Sequence, residues 1–322
     1  MKLTLFIENH QIIKKDKILT KESRRLAAFF TMFYQRKVDL NAIRSNHKMI
    51  TAQMGKKFDD NKKILAALLS LNENSAELLL QIKSIYDLMV GYGFYIDSAY
   101  IGVACYLIAA GTKTEHYADT VERAREFYNK MKANNHLHID ETDYPYAALF
   151  ALSGISAENG IRRIEQLYRQ LRAELKTKLD RNIQQLAMTL IVKEFAFENR
   201  VYELSKEIKT SKIWRFEDGV FPVIGILTQL PIDNNRIIPE LLETQSLLEK
   251  QKGFSQMFVS KHEIYFLSAM IVVSKYWDEI KKALKSKKEV FILEMMVISM
   301  TFSHLMIMNM PQHWRYAKVP RC

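Results

Sequence analysis

The chain reads as all-α: a right-handed array of about five to six antiparallel helical hairpins, α-solenoid-like, with capping helices at both ends. Three observations predict this. A helical stripe with an aromatic near its middle returns roughly every 40 residues. A small-residue apolar core returns between successive stripes, and a capping signal sits before each core. With Gly 10 and Pro 6 in 322 residues, little turn chemistry is left for a sheet protein.

One domain of residues 1–322 is expected, with N-terminal capping helices in 1–39, hairpin repeats in 40–275, and a C-terminal capping helix and tail in 276–322. The first helices of three repeats carry Leu79, Ile82, Ile85, Tyr86 and Met89; Val121, Ala124, Phe127, Tyr128 and Met131; and Ile161, Ile164, Leu167, Tyr168 and Leu171. At 3.6 residues per turn each set lies along one face. A looser copy holds Phe197, Val201, Leu204 and Ile208. The second helices carry cores such as Leu65–Leu69, Val103–Leu107, Tyr146–Phe150, Leu186–Leu190, Val223–Leu227 and Leu267–Ile271. Alanine and glycine there let helix axes approach, which places the second helices inside the array.

The inter-helix loops repeat an apolar residue followed by a capping residue: Phe58-Asp59, Ile96-Asp97, Ile139-Asp140, Leu179-Asp180, Phe216-Glu217 and Val259-Ser260. Asp218 is the alternative cap in the fifth copy. Asp and Ser accept hydrogen bonds from the free N–H groups of a starting helix. Ile96 with Ile101, Ile139 with Tyr144, Phe216 with Phe221 and Val259 with Ile264 have the spacing of a hydrophobic staple.

Hydrophobic content of 48% with 26% charged residues belongs to a folded globular chain. Cys105 and Cys322 form no metal or disulfide framework, and the apolar run Leu3–Ile7 is too short for a signal peptide, so a cytoplasmic protein is expected. The net charge of +11 favours acidic partners without naming one.

Three constellations stand out. His136, His138, Asp140 and Asp143 offer imidazole and carboxylate ligands for a divalent metal, as a metal-dependent hydrolase would need. Capping accounts for either aspartate, Pro145 suits a first helical turn, and no metal or other cofactor is expected. Arg162, Arg163, Arg169, Arg172 and Lys176 form a basic face, with Arg181 beyond it, that could bind a polyanion such as nucleic acid. Interleaved Glu165 and Glu174 dilute it. Val290–Met308 is apolar and methionine-rich behind the basic run Lys281–Lys288. Glu294, Ser299, Thr301, Ser303 and His304 interrupt it, so a buried closing helix is expected rather than a membrane span.

No GxSxG, P-loop, GxGxxG or HExxH pattern occurs, and Gly154-Ile155-Ser156 reads as an inter-repeat turn. The expected function is a non-enzymatic module binding a protein or peptide. Polyanion binding is the alternative, and the sequence sets no oligomeric state.

Leu65-Ala66-Ala67-Leu68-Leu69-Ser70-Leu71 and, later in the chain, Asp143-Tyr144-Pro145 resemble an uncharacterised family of helical bacterial proteins found mainly in Gram-positive species. A Phe-Ser segment followed by Arg-Gly in that family reads Phe58-Asp59-Asp60-Asn61 here. The resemblance implies the fold and a cytoplasmic bacterial context, and it carries over no functional residue.

Overall fold

Antiparallel helix pairs follow one another along the chain in the computed structural model, which describes residues 2–16, 18–55, 57–58, 62–96, 98–134, 136–175, 180–191, 198–211, 221–255 and 259–307. The pairs are α1 (Lys2–Lys14) with α2 (Lys21–Phe33), α3 (Leu40–Met54) with α4 (Lys62–Leu69), α5 (Ser75–Gly91) with α6 (Ala99–Gly111), and α7 (Tyr117–Ala133) with α8 (Tyr144–Ser153). They continue as α9 (Ala157–Leu175) with α10 (Asp180–Ile191), α11 (Glu198–Ser211) with α12 (Phe221–Leu227), and α13 (Asn234–Glu249) with α14 (Lys261–Lys275). A short α15 (Trp277–Ala283) and a long α16 (Lys287–Ile307) complete sixteen α-helices among the described residues. Among the described residues there is no strand.

First and second helices differ in burial. First helices bury one stripe; in α5 it is Leu78, Leu79, Ile82, Ile85, Tyr86 and Met89. Second helices are buried almost throughout, as in α8, where Tyr144–Ala151 are all inside. From α3 to α13 successive first helices touch one another, and among the second helices α2 meets α4, α6 meets α8, α10 meets α12 and α12 meets α14. The repeating aromatic ties one unit to the loop before it. Tyr86 meets Phe58 edge-on at 4.8 Å, and Tyr128 lies 6.0 Å from Phe94.

The helix starts refine the expected caps. Ser260 caps α14 by accepting from Glu263 N at 3.2 Å, as read. Asp140 caps a 3-10 turn at Glu141–Asp143, from which α8 continues with Pro145 in its first turn. Before α6 the side chain of Ser98 caps the helix, accepting from Tyr100 N at 3.2 Å. Accordingly Ile96 is 48% exposed and makes no staple, and Phe94 is the buried apolar residue of that loop. Asp180 lies within α10, not before it. Asp59, Asp60, Asn61, Asp97, Lys176, Leu179, Phe197, Phe216, Glu217, Asp218, Met308 and Cys322 lie outside the described residues.

The terminal helices do not cap free ends of a stack. Both α1 and α2 pack on α14, so the first hairpin meets the last. Arg25 of α2 and Glu263 of α14 form an ion pair there, 7% and 4% exposed. Phe6 and His10 of α1 contact Phe254, at 5.6 and 4.7 Å between ring centroids. Nor does α16 close one end; it touches α2, α6, α8, α12 and α14. A helix that is apolar all round belongs in such a place. Phe302 near its end meets Tyr100 at the start of α6, and Glu294 in its first half meets Tyr34 just past the end of α2. Thus α16 runs antiparallel to inner helices that are parallel to one another. Among the described residues no helix is long and apolar enough to cross a membrane.

Parallel inner helices gather their carbonyl ends at one rim, where cations are favourable. Lys2 Nζ donates to Phe33 O at 3.3 Å, Arg36 to Leu71 O at 2.7 Å, and Arg200 to Thr228 O and Leu230 O, both at 2.9 Å. Part of the positive charge is therefore spent on helix ends.

Close packing of the inner layer depends on small residues. A Cβ on Gly225 of α12 would sit 2.9 Å from Thr189 Cγ2 and 3.1 Å from Leu186 Cδ1 of α10. Gly225→Val is therefore expected to cost about 2 kcal/mol by overpacking. Chemical denaturation measures this, and an unchanged midpoint would mean the two helices stand further apart.

Candidate functional site

The loop nominated for metal binding is built around one guanidinium. Arg181, in the first turn of α10, places Nη2 2.9 Å from Asp143 Oδ2, 3.3 Å from Asp140 Oδ1 and 2.5 Å from Thr142 Oγ1, while Nη1 donates to His138 O. One turn on, Gln184 accepts from His138 N at 2.7 Å and donates to His138 O at 3.1 Å. Asp140 N donates to Asp143 Oδ2 at 3.1 Å, and Thr142 N to Asp140 Oδ1 at 2.9 Å, completing a capping box.

The site is buried and asymmetric. Asp143 is fully enclosed, whereas the Arg181 side chain is 28% exposed. Burial pushes the Asp143 carboxyl up to about 6, against the pull of Arg181. Burial works against the charge on Arg181, but Asp143 and Asp140 more than offset it and hold its pKa up. Tyr100, from α6, is raised by burial, and Tyr146 is raised to about 12 for the same reason. Asp143 Oδ1 and Tyr100 Oη are buried with no hydrogen-bond partner among the described residues.

The four metal candidates do not converge. The His136 side chain is 57% exposed, with Nε2 3.8 Å from Glu165 Oε1. His138 joins the network through its backbone. The carboxylates of Asp140 and Asp143 are committed to Arg181 and to the turn. Among the described residues, no three His, Cys, Asp or Glu side chains come together as a metal site.

The basic face is largely paired within itself. Arg169 is held by Glu165, Arg172 Nε lies 3.1 Å from Asp180 Oδ1, and Arg162 donates to Asn159 Oδ1 at 3.0 Å. Arg163 is engaged as well. In α16, Met295, Met296 and Met300 are buried and offer no surface to a partner.

One surface was missed. On α5, Leu80 is 57% exposed, and beyond its end Tyr92 and Tyr95 are exposed beside Ile96. Ser84, Asp87, Leu88, Gly91 and Tyr92 line a shallow depression of about 550 Å³ on the same helix. The signal lay in Leu78-Leu79-Leu80, since three consecutive leucines cannot all face one side of a helix. Tyr95 N donates to Tyr144 Oη at 3.0 Å, anchoring the loop to the start of α8.

Residues 9–302 match the family described as a protein of unknown function, DUF4003. The chain belongs to DUF4003. The DUF4003 match runs from within α1 to most of α16, so first and second helices both fall within it. No curated protein and no solved structure matches the chain.

Replacing Arg181 by Met leaves Asp143 enclosed without its counter-charge, an expected loss of about 3 kcal/mol at pH 7.5. The substitution raises the folded-state pKa of Asp143 further above its unfolded value. The cost is then present above that pKa and shrinks as the carboxyl takes up a proton toward pH 5. Denaturation at the two pH values checks this, and equal losses at both would contradict it.

Proposed function

We propose that the protein is a non-enzymatic helical-repeat interaction module. In this reading the six hairpins from α3 to α14 form one curved, α-solenoid-like array. A protein or peptide partner docks on the outward face of α5 and the loop that follows it. The observation that carries the proposal is the exposed apolar group Leu80, Tyr92, Tyr95 and Ile96 beside the depression on α5. Exposed aliphatic and aromatic side chains on a helix and the loop after it suit a partner that lays an apolar stripe against them.

The place of α16 supports the outer surface. Helical arrays commonly bind along their inner face, but here α16 occupies the space among α2, α6, α8, α12 and α14. The basic face on α9 offers no comparable support for a polyanion, because Arg169 and Arg172 are held by Glu165 and Asp180.

Leu80→Asp combined with Tyr95→Asp tests the proposal. Both side chains are mostly in water, so the melting temperature should hold within the range of ordinary surface changes. Captures from the native host by wild type and by the double variant are then compared. A protein enriched by wild type should be lost with the variant, and the same proteins retained by both would remove the α5 face as the docking surface.

A further inference from the structure

The inner layer is not packed uniformly. Helices α6 and α8 pack directly, as do α10 and α12, but α8 and α10 make little backbone-close contact. Polar contacts bridge them beside the shared apolar core. Tyr146 Oη and Thr189 Oγ1 lie 3.4 Å apart, Gln184 brackets the backbone of His138, and Arg181 reaches across to Asp140, Thr142 and Asp143. The inner acceptor, Asp143, and Gln184 are both fully enclosed. Charged hydrogen bonds of this kind are stronger than neutral ones, and losing one charge removes much of their strength.

We propose that the Arg181–Asp143 pair is a proton-operated latch on the seam between α8 and α10. With Asp143 ionised, Arg181 is drawn inward and the first turn of α10 is held to the turn at Glu141–Asp143. With Asp143 protonated, Arg181 keeps only Asp140, Thr142 and the His138 carbonyl, and the first turn of α10 opens more often.

Charged and titratable groups meet Asp143 from several elements. Facing it are Asp140 on its own turn, Tyr146 on α8, Tyr100 on α6, Tyr128 on α7 and Arg181 on α10. The three tyrosines are all raised by burial, and Arg181 keeps its charge. The Asp143 carboxyl, lifted by burial to about 6, changes charge within a physiological range. Its folded-state pKa lies above the unfolded value, so the folded protein takes the proton first. Between about 6 and 4 protonation of this group therefore adds to global stability while the seam loosens locally. A general acid unfolding would move both the same way.

The test is native-state hydrogen exchange of the amides at 138–143 and 180–184, corrected for intrinsic rates, from pH 7.5 to 5. Wild type should lose protection there by roughly tenfold, with no fall in global stability from this group. Asp143→Asn should show the low protection at every pH. A flat profile in wild type, or the same pH dependence in both proteins, would overturn the latch. If the Asn variant does not fold, carboxyl carbon NMR of wild type decides. The latch requires Asp143 to titrate near 6 together with the Arg181 side-chain signals, and a carboxyl still ionised at pH 4.5 overturns it.

Discussion

The arrangement depends on a helix that must be surrounded. From Met295 to Phe302 every residue of α16 is buried, and an apolar helix can satisfy that only when other helices cover all its sides. Helices α2, α6, α8, α12 and α14 provide the cover. Each then has apolar neighbours on two sides, outer helices on one and α16 on the other. This explains why second helices are almost continuously apolar, while first helices such as α9 need only Ile164, Leu167, Tyr168 and Leu171 along one stripe. Covering α16 also brings the first and last hairpins together, and Arg25–Glu263 is the polar bond at that join.

The same arrangement organises the charges. Inner helices pointing one way put unsatisfied N–H groups at one rim and carbonyls at the other. Thr20, Ser98, Asp140 and Ser260 serve N-termini of inner helices or the turn leading into one, and Lys2, Arg36 and Arg200 serve carbonyl ends. A net charge of +11 is thus partly a requirement of the fold rather than the footprint of a polyanion. The Arg181 network belongs to the N-terminal rim. Through Tyr144, the residue after Asp143, it is one hydrogen bond from Tyr95 and the exposed apolar surface.

Much of the fold was legible because it is periodic. The stripes around Tyr86, Tyr128 and Tyr168, the small-residue cores and the Ser260 cap are local patterns, and local patterns survive in one sequence. The loop before α6 shows the limit. Ile96 and Phe94 are both apolar residues of that loop, and only the packing of Phe94 on Tyr128 and Tyr144 decides which is buried. The place of α16 was not legible, since an apolar run fits a helix buried at one end as well as one buried in the middle. Nor could the site be read whole. Asp140 and Asp143 were visible as a pair, but Arg181 meets them from about 40 residues away and read as a residue beyond the basic face.

The central claim is that α16 is a core element shared by the hairpins of α2, α6, α8, α12 and α14 and not an appended cap. Native-state hydrogen exchange on α16 tests it most directly. If the claim holds, amides from Met295 to Phe302 belong to the slowest class, and the free energy for opening them equals that of global unfolding. If those amides exchange through a smaller opening while α6 and α8 stay protected, α16 is a detachable element and the account is wrong.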